Sequence, residues 1–330
     1  MIRDIRRFGG PLICSMAPLR FWHHVTKANL LIPYWHLVSD VPPPHVTGLY
    51  EPRNRRQFIK DIDFFLKHYQ PIGLEEFLGS LDGKGELPDR CVLFTFDDGL
   101  REIYDCIAPL LREKGIPAIF FLVSSAVDNQ VLCYPQKKGL LIRALRSPTS
   151  SSLTDQTRRI LTMAGIPGAD PASRIHDVPY RKRQVLDDLG TLIGCDFKAY
   201  VREEQPYLTG DQVRRLMNWG FAIGAHSVDH AKYSELSLEE QVSQTVESVR
   251  AISGLSGQRC ETFAFPYSDA GVSEEFYSRV LGSGILRASF GIGGIAAANP
   301  KRHWPRFSME NTPMSARRVL ARQFALALVR

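Results

Sequence analysis

No stretch of 18 consecutive apolar residues occurs in this chain. The longest apolar segments, such as residues 28–35, are short and broken by Asn29 and Pro33, which excludes a membrane-spanning helix. Cysteine is sparse, with six residues (Cys14, Cys91, Cys106, Cys133, Cys195, Cys260) in 330 and no CxxC pair. That argues for buried free thiols over a disulfide framework or a zinc ribbon. Neither sign of charge dominates: 41 Lys and Arg stand against 35 Asp and Glu, a formal +6. The basic residues come in scattered pairs, such as Arg6-Arg7 and Arg214-Arg215. They form a solvated surface without the clustered stripe that nucleic-acid binding requires, so no nucleic-acid partner is expected. A secretory signal is also missing to the eye. The start is basic, but residues 11–19 make a poor apolar core, and Arg20-Phe21-Trp22-His23-His24 does not resemble a cleavage site. A cytoplasmic protein is the default expectation, with a peripheral membrane contact by Phe21 and Trp22 left open. With 44% hydrophobic and 23% charged residues, composition excludes collagen, low complexity and long disorder.

What is present is an alternation of short apolar runs with helical periodicity. Residues 30–38 are apolar enough for a strand, and Val41-Pro42-Pro43-Pro44-His45 ends it in a loop. Phe58, Ile62, Phe65, Leu66 and Tyr69 then form one stripe of an amphipathic helix. Residues 91–96 read as a buried strand stopped by Asp97-Asp98-Gly99. The helix after it carries Ile103, Ile107, Leu110 and Leu111, and stops near Gly115 and Pro117. Residues 118–123 are strand again. From 128 to about 207 the alternation lapses: serines cluster at 147–152, flanked by helical segments around 140–145 and 185–200. Beyond it the pattern resumes with helix 211–218, strand 221–225, a helix carrying Val242, Val246, Val249 and Ile252, strand 262–265, helix 274–281, strand 285–290 and a closing helix over 316–329.

Strand followed by helix, repeated about six or seven times, predicts parallel strands joined by right-handed crossovers. No Gly-rich phosphate loop follows the first strand, which weakens a dinucleotide-binding open sheet. The expectation is an α/β fold, an irregular (β/α) barrel of about seven parallel strands. It would occupy residues 31–330 as a single catalytic unit, with 1–30 as an N-terminal extension and 128–207 as a mostly helical insertion.

In such a barrel, chemistry gathers on the loops after the strands. Three predicted strand ends deliver Asp97 and Asp98, His226 and His230, and the turn Pro266-Tyr267 to one rim. Each element has a bland reading: Asp98 as a helix N-cap, or two histidines four apart that only hydrogen-bond locally. Together, two imidazoles and a carboxylate make a three-ligand metal site with positions left for water. That set suits catalytic Zn²⁺ and also the facial triad of Fe(II) oxygenases. The extra carboxylate favours metal-assisted hydrolysis, because a hydrolase needs a base beside the activated water and an oxygenase does not.

The motifs Phe94-Thr95-Phe96-Asp97-Asp98-Gly99, His226-Ser227-Val228-Asp229-His230 and Phe263-Ala264-Phe265-Pro266-Tyr267 resemble the first three motifs of the polysaccharide deacetylase family, the NodB-homology or carbohydrate esterase 4 family. His36-Leu37-Val38-Ser39-Asp40 resembles the opening segment of many members, and Gly115-Ile116-Pro117-Ala118-Ile119-Phe120-Phe121-Leu122 the strand after the first motif. The resemblance runs from about residue 31 to 310, with 128–207 the least familiar stretch. It implies the barrel of glycoside hydrolase/deacetylase type and a hydrolase of carbon–nitrogen bonds (the 3.5.1 class) that removes the N-acetyl group of a saccharide. It further implies Asp97 as general base, with Asp98, His226 and His230 holding a divalent ion, usually Zn²⁺. That ion acidifies its bound water for attack on the amide, and the Tyr267 backbone N–H helps to hold the oxyanion.

The chain departs from the family in two places. Typical members carry an Arg where this chain has Ala264, and that Arg orients the base. The related pattern with Ala is often followed by a later Pro-Arg, matched here by Pro305-Arg306-Phe307, so Arg306 is expected to supply the guanidinium. The family's Leu-x-His motif, source of the general acid, is not evident; His303 is the first substitute candidate and His36 the second. Tyr34, Trp35, Tyr134, Tyr267 and Trp304 are candidates for a sugar-stacking platform, and Cys133-Tyr134-Pro135 in the insertion is a candidate cover for the cleft. The alternatives are a non-sugar amide hydrolase of the same superfamily and a carbohydrate-binding relative without turnover.

Overall fold

The computed structural model describes residues 19–146, 151–295 and 302–328. Cys14, Arg6-Arg7, most of the basic N-terminal start, Ser147 to Ser150 and the last residues of the closing helix lie outside the described residues.

Among the described residues, eleven short strands pair in parallel: β1 (Leu30–Leu31), β2 (Pro33–Trp35), β3 (Gln70–Pro71), β4 (Cys91–Val92), β5 (Phe94–Phe96), β6 (Ala118–Leu122), β7 (Ala222–Ala225), β8 (Thr262–Ala264), β9 (Ala288–Gly291), β10 (His303–Pro305) and β11 (Phe307–Ser308). Eight of them form one sheet in the order β10-β9-β8-β7-β6-β5-β2-β11. Its two edge strands, β10 and β11, are separated in the chain by Arg306 alone. The sheet therefore curls back on itself, and Arg306 is the seam of a nearly closed barrel. β1 and β4, together with β3, extend the β2 and β5 segments by a smaller three-stranded sheet. Seven chain segments thus supply the eight barrel strands, because the last one contributes on both sides of the seam.

Alternation along the strands sorts side chains into two layers. Ile119 and Phe121 of β6 cluster with Ala264 of β8, Phe290 of β9, and Ile32 and Leu93 from the links just before β2 and β5. Ala118, Phe120 and Leu122 turn the other way, into the larger cluster that includes Phe58, Ile103 and Val249 from the surrounding helices. All five residues of β6 are buried, as expected of a parallel strand covered on both faces.

The helices start where the local chemistry starts them. Helix α1 (Leu19–Thr26) packs through Trp22, which stacks on Phe324 of the C-terminal helix. Helix α2 (Arg55–His68) opens with a capping box between Asn54 and Gln57 and buries Phe58, Ile62 and Phe65. Helix α3 (Leu74–Leu81) buries Phe77 against Phe290 and Trp304, and the Ile103 segment begins as a π-turn before α4 (Ala108–Glu113). Between β6 and β7 come α5 (Tyr134–Leu145), α6 (Ser151–Met163), α7 (Pro171–His176), α8 (Gln184–Ile193), α9 (Phe197–Glu204) and α10 (Gly210–Asn218). Most of this stretch packs on an apolar cluster of its own, including Tyr134, Leu141, Leu161, Ile175 and Leu189. Helices α11 (Leu238–Ser256), α12 (Glu274–Tyr277) and α13 (Ala316–Ala327) complete the outer layer.

Three local expectations change. The strand expected over 30–38 stops at Trp35, because the N–H groups of His36 and Leu37 turn to the Glu310 carboxylate. The helical run over 185–200 is two helices, divided at Gly194, which takes the left-handed conformation (φ 78°) that ends α8. The serine-rich stretch gives way to a regular helix, α6, whose Leu161 is buried by tertiary packing.

Candidate active site

Because the strands run parallel, their C-terminal ends share one rim, and the predicted motifs stand on it. Asp97 and Asp98 follow β5, His226 follows β7, and Phe265-Pro266-Tyr267 follows β8. The chain turns sharply at each. Asp98 (φ 72°), Ser227 (65°), His230 (60°) and Tyr267 (57°) occupy the left-handed region, which non-glycine residues enter at a conformational cost and which clusters at functional sites. Asp98 is therefore no ordinary helix cap. Gly99 continues the left-handed turn at φ 73°, and a Cβ there would stand 3.0 Å from the Leu122 side chain, so glycine suits both the angle and the space.

A cavity of about 260 Å³ opens on this rim, lined among others by Asp97, Asp98, His226, His230, Tyr267 and His36. A larger recess of 680 Å³, lined by residues of α8 and α9, carries none of these groups. Asp98 Oδ1 lies 3.5 Å from His226 Nε2 and 3.1 Å from His230 Nε2. One donor atom from each of the three lies within 4.8 Å of the others, and all three residues are buried. His226 Nδ1 is 2.8 Å from the carbonyl of Ala264. The ring donates there, so Nε2 is the nitrogen turned toward Asp98. Burial pushes the Asp98 carboxyl up, but the two histidines outweigh it and hold it well below the ordinary carboxylate range. Burial lowers the His230 imidazole. A carboxylate and two imidazole nitrogens therefore converge, with Asp98 Oδ1 buried and, among the described residues, without a hydrogen-bond partner. This set of one carboxylate and two imidazoles fits a divalent cation.

Asp97 has a different environment. Arg306 is fully buried and forms a two-pronged pair with it, Nη1 to Oδ1 at 2.7 Å and Nη2 to Oδ2 at 2.8 Å. The guanidinium also donates to Thr95 Oγ1 and the Gly291 carbonyl, and lies over the ring of Tyr34. Burial raises the Asp97 pKa, yet Arg306 prevails and keeps it below the usual range. Ala264 itself is buried in the barrel interior, so the guanidinium reaches Asp97 from the seam.

The two candidates for a general acid separate. His36 lines the cavity, and its Nδ1 is 2.5 Å from Glu310 Oε2. Burial opposes its protonation, but Glu310 raises its pKa to about 9. His303 does not line the cavity; it bridges Ser289 Oγ and Asp269 Oδ2, each at 2.9 Å. That chain has the residue types of a nucleophilic triad, but Ser289 is fully buried and has no access to substrate. Pro266 is buried behind Tyr267 and does not line the cavity. Among the described residues, no protein acceptor takes the Tyr267 backbone N–H.

Of the five aromatics considered for stacking, Tyr34 and Tyr267 line the cavity. Trp35, Tyr134 and Trp304 are buried, each with core packing that explains it. Sequence reasoning missed Glu310, Gln136 and Lys138. Gln136 Nε2 reaches Asp98 Oδ2 at 3.4 Å, and both Gln136 and Lys138 come from α5 to form one wall. No local signal marks any of them; Glu310 meets His36 across 274 positions of sequence.

The family model for polysaccharide deacetylase matches residues 84–281. A 61-residue stretch is 34% identical to the poly-beta-1,6-N-acetyl-D-glucosamine N-deacetylase of Escherichia coli (strain K12), covering 18% of this chain and 9% of that relative. Among solved structures, the Streptococcus pyogenes deacetylase PplD in complex with acetate aligns over 88% of this chain and 96% of its own, with 14% identity and a TM-score of 0.56. IcaB from Ammonifex degensii aligns over 90% and 97%, with 17% identity and a TM-score of 0.56. Those two likenesses bear on the fold alone. The family match covers more than half of the chain and spans the Asp97-Asp98, His226–His230 and Phe263–Tyr267 motifs at the barrel rim: this chain belongs to the polysaccharide deacetylase family.

Proposed function

We propose that this chain is a metal-dependent hydrolase that removes the N-acetyl group from a saccharide. One observation carries the reading: an anionic, arginine-held carboxylate stands next to a buried Asp–His–His cluster on a single cavity. Asp98, His226 and His230 would hold the ion, and two imidazoles with one carboxylate suit Zn²⁺. When bound there, it supplies Lewis acidity, lowering the pKa of water and polarising an amide carbonyl.

The remaining steps fall to the chain's own groups. Asp97, kept ionised and fixed in orientation by Arg306, accepts the proton of the attacking water. The unclaimed Tyr267 N–H is available to the oxyanion as the carbonyl becomes tetrahedral. His36, protonated against Glu310, gives its proton to the departing amine, and acetate leaves. His36 takes this role in preference to His303 because it alone of the two faces the cavity.

The test is acetate release from N-acetylated oligosaccharides, nucleotide sugars and small amides, with and without chelator. N-acetylglucosamine units are the first to try, given the local similarity to the E. coli enzyme. Release from a saccharide is expected, with loss on chelation and return on adding Zn²⁺. Release from small non-sugar amides alone would instead favour an amidohydrolase, and binding without release a carbohydrate-binding relative.

A second expectation concerns the acid. Glu310→Gln removes the carboxylate that raises the His36 pKa toward 9. The alkaline limb of kcat/KM, where the acid loses its proton, should then move to lower pH. A profile that keeps its alkaline limb in place would dismiss His36 as the donor.

A further inference from the structure

The helical stretch between β6 and β7 places one buried cation on the wall of the cavity. Lys138 is 6% exposed and lines the same space as Asp97 and Asp98. Its Nζ donates to the carbonyl of His176, the last residue of α7, at 2.7 Å, and sits 4.1 Å from the centre of the Tyr134 ring. Among the described residues it makes no ion pair, whereas its neighbour Lys137 pairs with Asp187 at 2.5 Å. Buried charges are ordinarily paired, because desolvating an ammonium is costly. Capping the end of α7 uses one of its three protons and requires no burial.

The charges around the cavity sharpen the point. Arg306 balances Asp97, and Glu310 balances His36. What remains is Asp98, which faces the two histidines, and Lys138. A divalent cation on Asp98 leaves the cavity lining net positive, and Lys138 has, among the described residues, no carboxylate in contact: Asp177 and Glu235 act on it only from farther off. The natural complement is a negative group on the substrate.

We propose that Lys138 selects substrates that carry an anionic substituent, a phosphate or a carboxylate, on or beside the N-acetylated sugar. The proposal rests on the deacetylase reading above and names its substrate class. Burial lowers the Lys138 pKa to about 8, so an anion alongside stabilises the ammonium form. A charge-assisted hydrogen bond in a partly dry cavity is strong enough to discriminate.

The experiment uses the full chain loaded with Zn²⁺ and three probes: N-acetylglucosamine, its 1-phosphate, and the corresponding 6-carboxylate (uronate). Calorimetry gives the dissociation constants, and acetate release gives kcat and KM separately. Wild-type protein should bind at least one anionic probe about tenfold or more tighter than the neutral sugar. Lys138→Met should bring that ratio close to one, chiefly through KM, while Lys138→Arg restores part of it. The phosphate and carboxylate arms tell the two anions apart. A wild-type ratio near one, or a ratio unchanged in Lys138→Met, overturns the proposal. If Lys138→Met does not fold, Lys138→Gln and the wild-type ratio decide. Selective binding with no acetate released from any probe keeps Lys138 as the anion selector and removes deacetylation; release without selectivity does the reverse.

Discussion

Asp97→Asn should lower kcat for acetate release by about 10³-fold, within the span of losing a positioned general base, while the protein still takes up one equivalent of metal. Uptake is expected to survive because the Asp98, His226 and His230 donors converge without Asp97. An amide at position 97 can accept one hydrogen bond from Arg306 but cannot take a proton from water. The substitution also leaves the Arg306 guanidinium buried with no counter-charge, so the variant should unfold at lower temperature than wild type. Activity is therefore compared at a temperature where circular dichroism shows both folded. Undiminished turnover under those conditions would remove Asp97 from the chemistry, and loss of turnover together with metal would reassign it as a ligand.

Arg306→Met carries the second large effect. Truncating one partner of a buried pair leaves the other charge uncompensated, which destabilises by about 3–5 kcal/mol, and both partners here are essentially inaccessible to water. The pH dependence follows from the direction of the shift. In wild type the folded Asp97 pKa is depressed, so the pair's contribution is present above the unfolded value of about 3.9 and fades as pH falls through the folded one. Without Arg306 the largest lowering influence is gone, leaving only His226 and His36 to oppose burial, and the folded pKa rises. Relative to wild type, the variant should then be least stable at neutral pH and recover as acid protonates Asp97. The acidic limb of kcat/KM should move to higher pH, since the base now loses its charge earlier. Denaturant melts and a rate profile between pH 4 and 8 check both effects. An unmoved acidic limb would reduce Arg306 to a structural residue at the barrel seam. The double variant with Asp97→Asn measures the coupling; a coupling energy near zero would mean that the pair is geometrically close but energetically idle.

Much of the fold was legible because its signals are local. The β6 run is apolar at every position, as a strand covered on both faces must be, and the Phe58–Ile62–Phe65 stripe repeats at helical spacing. The site motifs were legible for the same reason: each sits directly after a strand, where a parallel barrel exposes its loops. The uneven stretches were not. Residues 30–38 carry enough apolar character for a longer strand, but Glu310 captures two of their N–H groups and ends it. The helices between β6 and β7 bury faces against one another, so their boundaries depend on partners that periodicity within one segment does not reveal.

By itself, the order of residues determined the strand–helix repeat, the carboxylates and imidazoles that follow three of the strands, and the family to which they belong. The Pro305-Arg306 pattern already pointed to Arg306, but tertiary structure decided how the remaining groups stand beside them. Closing the sheet between β10 and β11 brings Arg306 onto Asp97 across 209 positions, and the same closure sets Glu310 against His36 and leaves His303 outside the cavity. Packing of α5 on the rim decided that Lys138 lines the cavity. The reason is physical: neighbouring residues encode backbone preference and which face is apolar, whereas a pairing between distant side chains exists only once a whole barrel has closed around it.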